Sequence, residues 1–365
     1  MPNKKRPQPH SFKTLHNATE HERNTDITVK LRSSYTTFCT IFFRFQEETT
    51  LRLTRHFFPL LLLLLLPISI TKAEGYAFLC HPTAEKGEEV LFHSILTTGK
   101  LPDKAMMHIA TTGFVLVYVN GRIAITETVW PYRPEKRQGK ASREIDIREF
   151  LSIGRNVISV WYAPCITSWS TQNDTSSNAG RETGGQISVA ITTVTDGKKE
   201  VRCNTEKDWL CTIAAGKLTE KGENFDAIAY QKDWKEFIFG FSPAWIGAEK
   251  AMPSAADFCD IPNTSLRACK TFETISIFQG NDTTRCYFPM EAEGQIRLTI
   301  RGAKKGQKIA VNDMQYRCLG IDDEQFITRF STYKTDSLII TRQDNKSLPT
   351  VAGAEIIMLK PSDIE

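Results

Sequence analysis

From residue 76 onward, apolar and polar residues alternate in many short runs, each closed by a turn signal. This period of two is what most constrains the fold, because it places one face of each run in a core and the other in water. The expected strands are Glu89–Leu96, Met106–Ile109, Phe114–Asn120, Ile123–Thr128, Arg143–Ile147, Asn156–Ala163, Gln186–Thr195 and Lys199–Asn204. Further strands are expected over Phe237–Phe239, Thr271–Ile277, Gln295–Arg301, Lys308–Val311, Phe326–Ser331, Ser337–Thr341 and Ala354–Leu359. Asn120-Gly121, Asp196-Gly197 and Lys305-Gly306 separate runs, and Asn120-Gly121 is a type I′ hairpin signal because both positions tolerate φ > 0. Only Ile147–Leu151 and Asp226–Lys232 read as helical, and both are short. The pattern predicts an all-β chain of antiparallel β-sandwiches.

Ala248–Leu266, with Pro253 and Pro262, is the expected boundary between a first β domain over 76–248 and a second over 266–365. Thr167–Gly185, rich in Ser, Thr, Asn and Gly, reads as a long surface loop. Ahead of both domains, Arg55 and His56 precede an apolar block that includes Leu60 to Leu66 unbroken and ends in small residues at Ala73. That block is shorter than the roughly 20 apolar residues of a spanning helix, so 51–73 is read as a signal peptide. Export to the periplasm, cell envelope or extracellular space is the expectation. Residues 1–50 are polar and would set the signal far from the N-terminus. They are read as a disordered or mis-assigned extension, with the true start near Leu51 or Leu53.

The chain has 46 Lys+Arg and 42 Asp+Glu, a net charge of +4. Residues 1–73 carry 11 and 5 of these, leaving 35 and 37 for 74–365, a net of −2. The exported part is therefore not basic, and a nucleic-acid partner loses its electrostatic warrant. Of nine cysteines, eight follow the leader, a number that permits disulfides in an exported chain. Four pairs allow 105 connectivities, so none is assigned, and buried free thiols are the alternative.

One ordered series carries a family resemblance. Leu101 to Ile109 leads into Val117 to Arg122; Pro131-Tyr132-Arg133-Pro134, Glu144 to Ile147, Phe150-Leu151 and Gly154 to Val160 follow. Asp196-Gly197, Asp208-Trp209, Gly222 to Ala227, Trp234 and Trp245 complete it. Over about 85–250 this resembles the N-terminal jelly-roll of bacterial α-L-rhamnosidases, which is related to galactose-binding-like modules. Tyr287-Phe288, Glu293 to Leu298, Gly302 to Gly306, Phe330 and Ala354 to Ile357 resemble the β-sandwich that follows in that family. The resemblance implies a catalytic (α/α) barrel beyond these sandwiches, and the sequence stops at Glu365, where that barrel would begin. No catalytic residue is therefore assigned. The expected role is a non-catalytic carbohydrate-recognition or scaffold portion of an exported rhamnosidase-like protein. Two alternatives stand: a fragment of the hydrolase whose barrel is encoded downstream, and an envelope protein-binding sandwich.

Sugar rings present apolar C–H faces to aromatics and hydroxyls to planar polar groups. Trp130, Tyr132, Trp161, Tyr162 and Trp169 are the candidate contacts for a rhamnose-containing glycan. Ser168 stands where the family has Gly before its Trp. Trp209, Trp234 and Trp245 read as packing, and Asp146 and Asp226 as turn caps. Asp322-Asp323-Glu324 could bind calcium but lacks EF-hand spacing, so a solvated loop is expected and no metal site is assigned. No GxSxG, HExxH, phosphate loop or dinucleotide fingerprint occurs.

Overall fold

The alternating runs fold as strands. The computed structural model describes residues 77–132, 140–165, 185–204, 209–236, 243–251 and 264–362. The expected leader, the strand at Phe237–Phe239 and the loop at Thr167–Gly185 (except Gly185) lie outside them. In chain order the first strands are β1 (Leu79–Cys80), β2 (Glu88–Thr98), β3 (Lys104–Thr111), β4 (Phe114–Val119), β5 (Arg122–Ile123), β6 (Ala141–Asp146) and β7 (Gly154–Ala163). Then come β8 (Ile187–Thr195), β9 (Lys198–Asn204), β10 (Leu210–Thr219), β11 (Gly222–Asp226), β12 (Ile246–Gly247) and β13 (Glu249–Lys250). The remaining strands are β14 (Ser265–Glu273), β15 (Ser276–Gln279), β16 (Thr283–Arg301), β17 (Lys308–Val311), β18 (Met314–Arg317), β19 (Glu324–Ile327), β20 (Tyr333–Arg342) and β21 (Thr350–Ser362).

Among the described residues the strands form two sheets. The smaller runs β13-β1-β8-β3-β6, with β9 beside β8. The larger runs β14-β21-β16-β20-β17-β18-β11-β10-β2-β7-β4-β5. The junction inside that larger sheet is the parallel pair β11–β18, where Phe225 lies beside Tyr316 and Asp226 beside Arg317. One continuous sheet thus serves both ends of the chain.

Two hydrophobic cores flank this arrangement. Val90, Phe92, Val117, Val119, Ile158 and Val160 of the larger sheet meet Met107, Ile109, Val189 and Ile191 of the smaller one. The opposite face of β2 and β7 presents Leu91, Trp161 and Ala163, which join Phe225, Trp234, Ile296, Phe326 and Phe330 in the second core. β7 is apolar on both faces for that reason, as parallel and central strands are when both sides are covered.

Asn120 (φ 51°) and Gly121 (φ 77°) make the expected positive-φ turn, and the Asn120 side chain ties it down by bonding Phe150 O and Asn156 Oδ1. The helical turn expected near Leu151 is a 3-10 turn over Arg148–Phe150, begun by Arg148 N donating to Asp146 Oδ1 at 3.0 Å. Two expectations are corrected. The strand expected over Ile123–Thr128 ends at Ile123, after which the chain turns so that Val129 bridges Leu266. The helix expected over Asp226–Lys232 is a turn, because Asp226 Oδ1 captures the amides of Ile228 and Ala229. The seven described cysteines are free thiols, and all but Cys269 are buried. No helix among the described residues is long and apolar enough to cross a membrane.

Candidate functional site: a polar groove at the sheet junction

Strand β10 breaks register against β2 between Ile213 and Lys217. Its pairing with β11 begins only at Gly216, so Ala214 and Ala215 have no partner in either ladder. A bulge of small residues thins the sheet there, and a cavity of about 310 Å³ opens over it. The floor is Ile213–Lys217; the walls come from Glu88, β11, β18 and Lys308.

Strand register sets the polar rows of this groove. Lys217 stands opposite both Glu88 and Asn224, and Asn224 Oδ1 accepts the Gln315 amide at 2.7 Å. The next row is Asp226–Arg317–Lys308 across three strands. Arg317 donates to Asp226 at 3.0 Å. Carboxylate, guanidinium, amide and ammonium groups therefore line one open concavity on rigid strands, where hydroxyl-rich ligands find hydrogen-bond partners.

Directly behind the floor lies a buried polar network. A Cβ on Gly216 would sit 2.1 Å from Glu89 Oε2, so only glycine lets the carboxyl approach. Glu89 and Glu223 are both fully buried. Trp161 Nε1 donates to Glu89 Oε2 at 2.7 Å. Glu223 accepts the backbone amides of Arg329 at 2.6 Å and Phe330 at 2.9 Å, and the Arg329 guanidinium at 3.2 Å. That guanidinium also lies 4.2 Å from the Phe225 ring centre and 5.0 Å from that of Trp161. Burial, reinforced by the negative charge of Glu223, holds the Glu89 carboxyl well above its usual range despite Arg329 and Trp161. Burial thus favours the neutral form of Glu89, while Glu223 faces the Arg329 guanidinium. Neither group reaches solvent.

The aromatics expected to contact sugar are not gathered at a surface. Trp130, Trp161 and Tyr162 are 1%, 2% and 1% exposed. Trp130 and Tyr162 fill the first core and Trp161 the second. For Trp161 and Tyr162 the physical reason is that β7 lies between two apolar layers, so neither face is free. Tyr132 keeps part of its surface, and its backbone exchanges bonds with Thr264. Trp169 lies outside the described residues. The acidic cluster also disperses: Asp323 pairs with Arg301, while buried Glu324 accepts the Tyr316 hydroxyl at 2.7 Å and the amides of Leu319 and Gly320. No group of three or more metal-ligating side chains occurs among the described residues.

Sequence reasoning missed the groove because β10 and β11 carry weak strand signals, Ala-Ala-Gly in one and Gly-Glu-Asn in the other. Only the polar positions at every second residue, Asn224 with Asp226 and Gln315 with Arg317, could have marked it.

Residues 100–271 match the family model described as the alpha-L-rhamnosidase N-terminal domain. A comparison with curated proteins finds no match. Among solved structures, the alpha-L-rhamnosidase of Dictyoglumus thermophilum is similar, with TM-score 0.64 and 15% identity over 78% of this chain and 35% of that one. The enzyme of Aspergillus terreus follows at TM-score 0.62 and 15% identity, covering 79% and 36%. The enzyme of Streptomyces avermitilis, solved with L-rhamnose, gives 0.59 and 16%, covering 76% and 29%. These identities show a shared fold. The chain spans about a third of the length of each.

Proposed function

We propose, from the match of residues 100–271 to the alpha-L-rhamnosidase N-terminal domain model, that this chain is the non-catalytic, carbohydrate-recognising and scaffolding portion of an exported rhamnosidase-like protein. The open groove over the β10 bulge carries the reading. It offers Asn224, Gln315, Asp226 and Arg317, planar groups suited to paired sugar hydroxyls, on strands that do not need to reorganise. Inverting glycoside hydrolysis needs an acid and a base about 6.5–9.5 Å apart with a water between them in an accessible pocket. Glu89 and Glu223, a buried pair of carboxyls behind the groove floor, are sealed inside the core.

Calorimetric titration of the full chain with rhamnosyl oligosaccharides tests the reading. Binding is expected, with Asn224→Ala weakening it by about five- to tenfold, the loss of one good hydrogen bond. Binding by wild type that Asn224→Ala leaves unchanged would move recognition away from the groove. Turnover of an aryl α-L-rhamnoside by the purified chain would overturn the non-catalytic part. A second reading, a protein-binding module, is favoured by one observation. Phe278, Tyr287 and Ile339 lie on the outward face of β15, β16 and β20 with 63%, 37% and 39% of their surface exposed. Cross-linking in periplasmic or culture fluid that Phe278→Ser abolishes would support it.

A further inference from the structure

The charges of the groove do not balance. Lys308 and Arg317 are directly opposed across β17 and β18, so their side chains leave the sheet on the same side as a like-charged pair. Asp226 engages the guanidinium at 3.0 Å, while the Lys308 ammonium has no acidic partner among the described residues. Asp313, the nearest acid in sequence, pairs with Lys221 at 3.7 Å, and Asp344 accepts the backbone amides of Lys308 and Lys346 and pairs with the Lys346 ammonium at 3.6 Å. Lys304 and Lys305 add two exposed cations on the turn that enters β17. This turn is locked to the end of β18 by Gly306 N donating to Cys318 O at 2.8 Å. On the opposite wall, Lys217 is already shared with Glu85 at 3.5 Å and Glu88 holds the Glu85 amide at 2.8 Å. Positive charge is thus left over at one end of the cavity, and backbone without ladder partners lies at its floor.

We propose that the groove takes an anionic saccharide, the carboxylate of a uronic acid residue lying between Lys308 and Arg317 and the ring hydroxyls reaching Asn224, Gln315 and the backbone of Ala214–Ala215. A planar carboxylate matches the free edge of a guanidinium, and a neighbouring ammonium completes the charge. The small side chains at 214–216 leave room for a ring to lie against the strand. This inference rests on the carbohydrate-recognition reading and sharpens it to acidic glycans.

The test is titration of the full chain with four probes: trigalacturonate, its methyl ester, a neutral rhamnosyl trisaccharide and inorganic sulfate. Trigalacturonate is expected to bind, its methyl ester at least about fivefold more weakly, as suits one charge-assisted bond lost at a partly exposed site. Lys308→Gln should reproduce that loss for the acid and leave the ester unchanged, and Lys308→Arg should restore it. Rising salt should weaken the acid selectively. Lys308 is exposed, so a matching thermal unfolding curve shows that the variant folds, and Arg285→Gln, at an exposed position outside the groove lining, is the charge control. Equal binding of acid and ester, or a Lys308→Gln variant that binds the acid normally, overturns the inference while leaving sugar recognition standing. Sulfate binding as tightly as trigalacturonate would overturn the saccharide part, and binding of no saccharide would sink both readings.

Discussion

Gly216 illustrates how one missing methyl group shapes two layers. Its backbone forms the groove floor, and the space a side chain would fill is occupied by the Glu89 carboxyl. Gly216→Ala is expected to destabilise the protein by about 2–4 kcal/mol, as overpacking against a buried polar group does. Gly247→Ala, where no atom lies within 4 Å of the added carbon, should stay within about 0.5 kcal/mol. Chemical denaturation measures both. Glu89 has its own signature. Because its folded-state pKa is raised, the unfolded chain releases a proton that the folded one keeps, so stability declines as pH rises above the ordinary value of 4.5. Glu89→Gln removes this term. The variant should lose less stability than wild type between pH 5 and pH 8, measured by urea midpoints, and parallel curves would contradict the assignment. No feature of the sequence separates Glu89 from its half-buried neighbour Glu88 except position in the alternation, which is why the buried network was not legible before the fold.

At the scale of elements, strands with strong period-two patterns were readable: β2, β4, β7 and β8 fall where alternation or a continuous apolar run places them. The strands that build the groove were not, because β11 reads Gly-Glu-Asn-Phe-Asp and owes its conformation to partners distant in sequence. Glu223 supplies that hold, taking two amides and a guanidinium from the 329–330 segment. The burial of Trp161 was not legible for the opposite reason. Sequence shows that Trp161 lies on a strand with two apolar faces but not that a second layer covers it. Glu127 makes a comparable clamp on the other side. Its carboxylate takes the guanidiniums of Arg143 at 2.8 Å and, from β14, Arg267 at 3.2 Å. Burial alone would raise its pKa, yet the bonds from Arg143, its own amide and Arg267 prevail and hold it down at about 2. A carboxylate depressed in the folded state contributes stability above about pH 4.5 that is lost as pH falls towards 2. Glu127→Gln should therefore destabilise by about 3 kcal/mol at pH 7, the scale of breaking a buried pair, and converge on wild type near pH 2.

Over the whole molecule, a shared sheet argues against two independently stable halves. The resemblance to two successive sandwiches was legible from the ordered motifs, because turn glycines and strand spacing are local features of the sequence. Their fusion through the parallel β11–β18 pair was not, because it joins segments about ninety positions apart by two residues on each side. The consequence is energetic. Leu91, Trp161, Leu218, Phe225, Trp234 and Trp245 precede Lys250 in the sequence and belong to the second core by packing. Cutting the chain after Lys250 would expose all of them, and burial of each large side chain is worth about 1.5–3 kcal/mol. The sum, about 9–18 kcal/mol for six side chains, is comparable with the whole stability of a domain, typically about 5–15 kcal/mol. The segment from Gly75 to Lys250 alone is expected to bind a hydrophobic dye and aggregate, while Gly75 to Glu365 should melt in one calorimetric transition. Trp161→Ala should lower that single transition without splitting it, because Trp161 stands on a strand whose other face builds the first core. A soluble, cooperatively folding 75–250 fragment, or two resolved transitions in the longer chain, would show that the sheet joins two bodies that each stand alone.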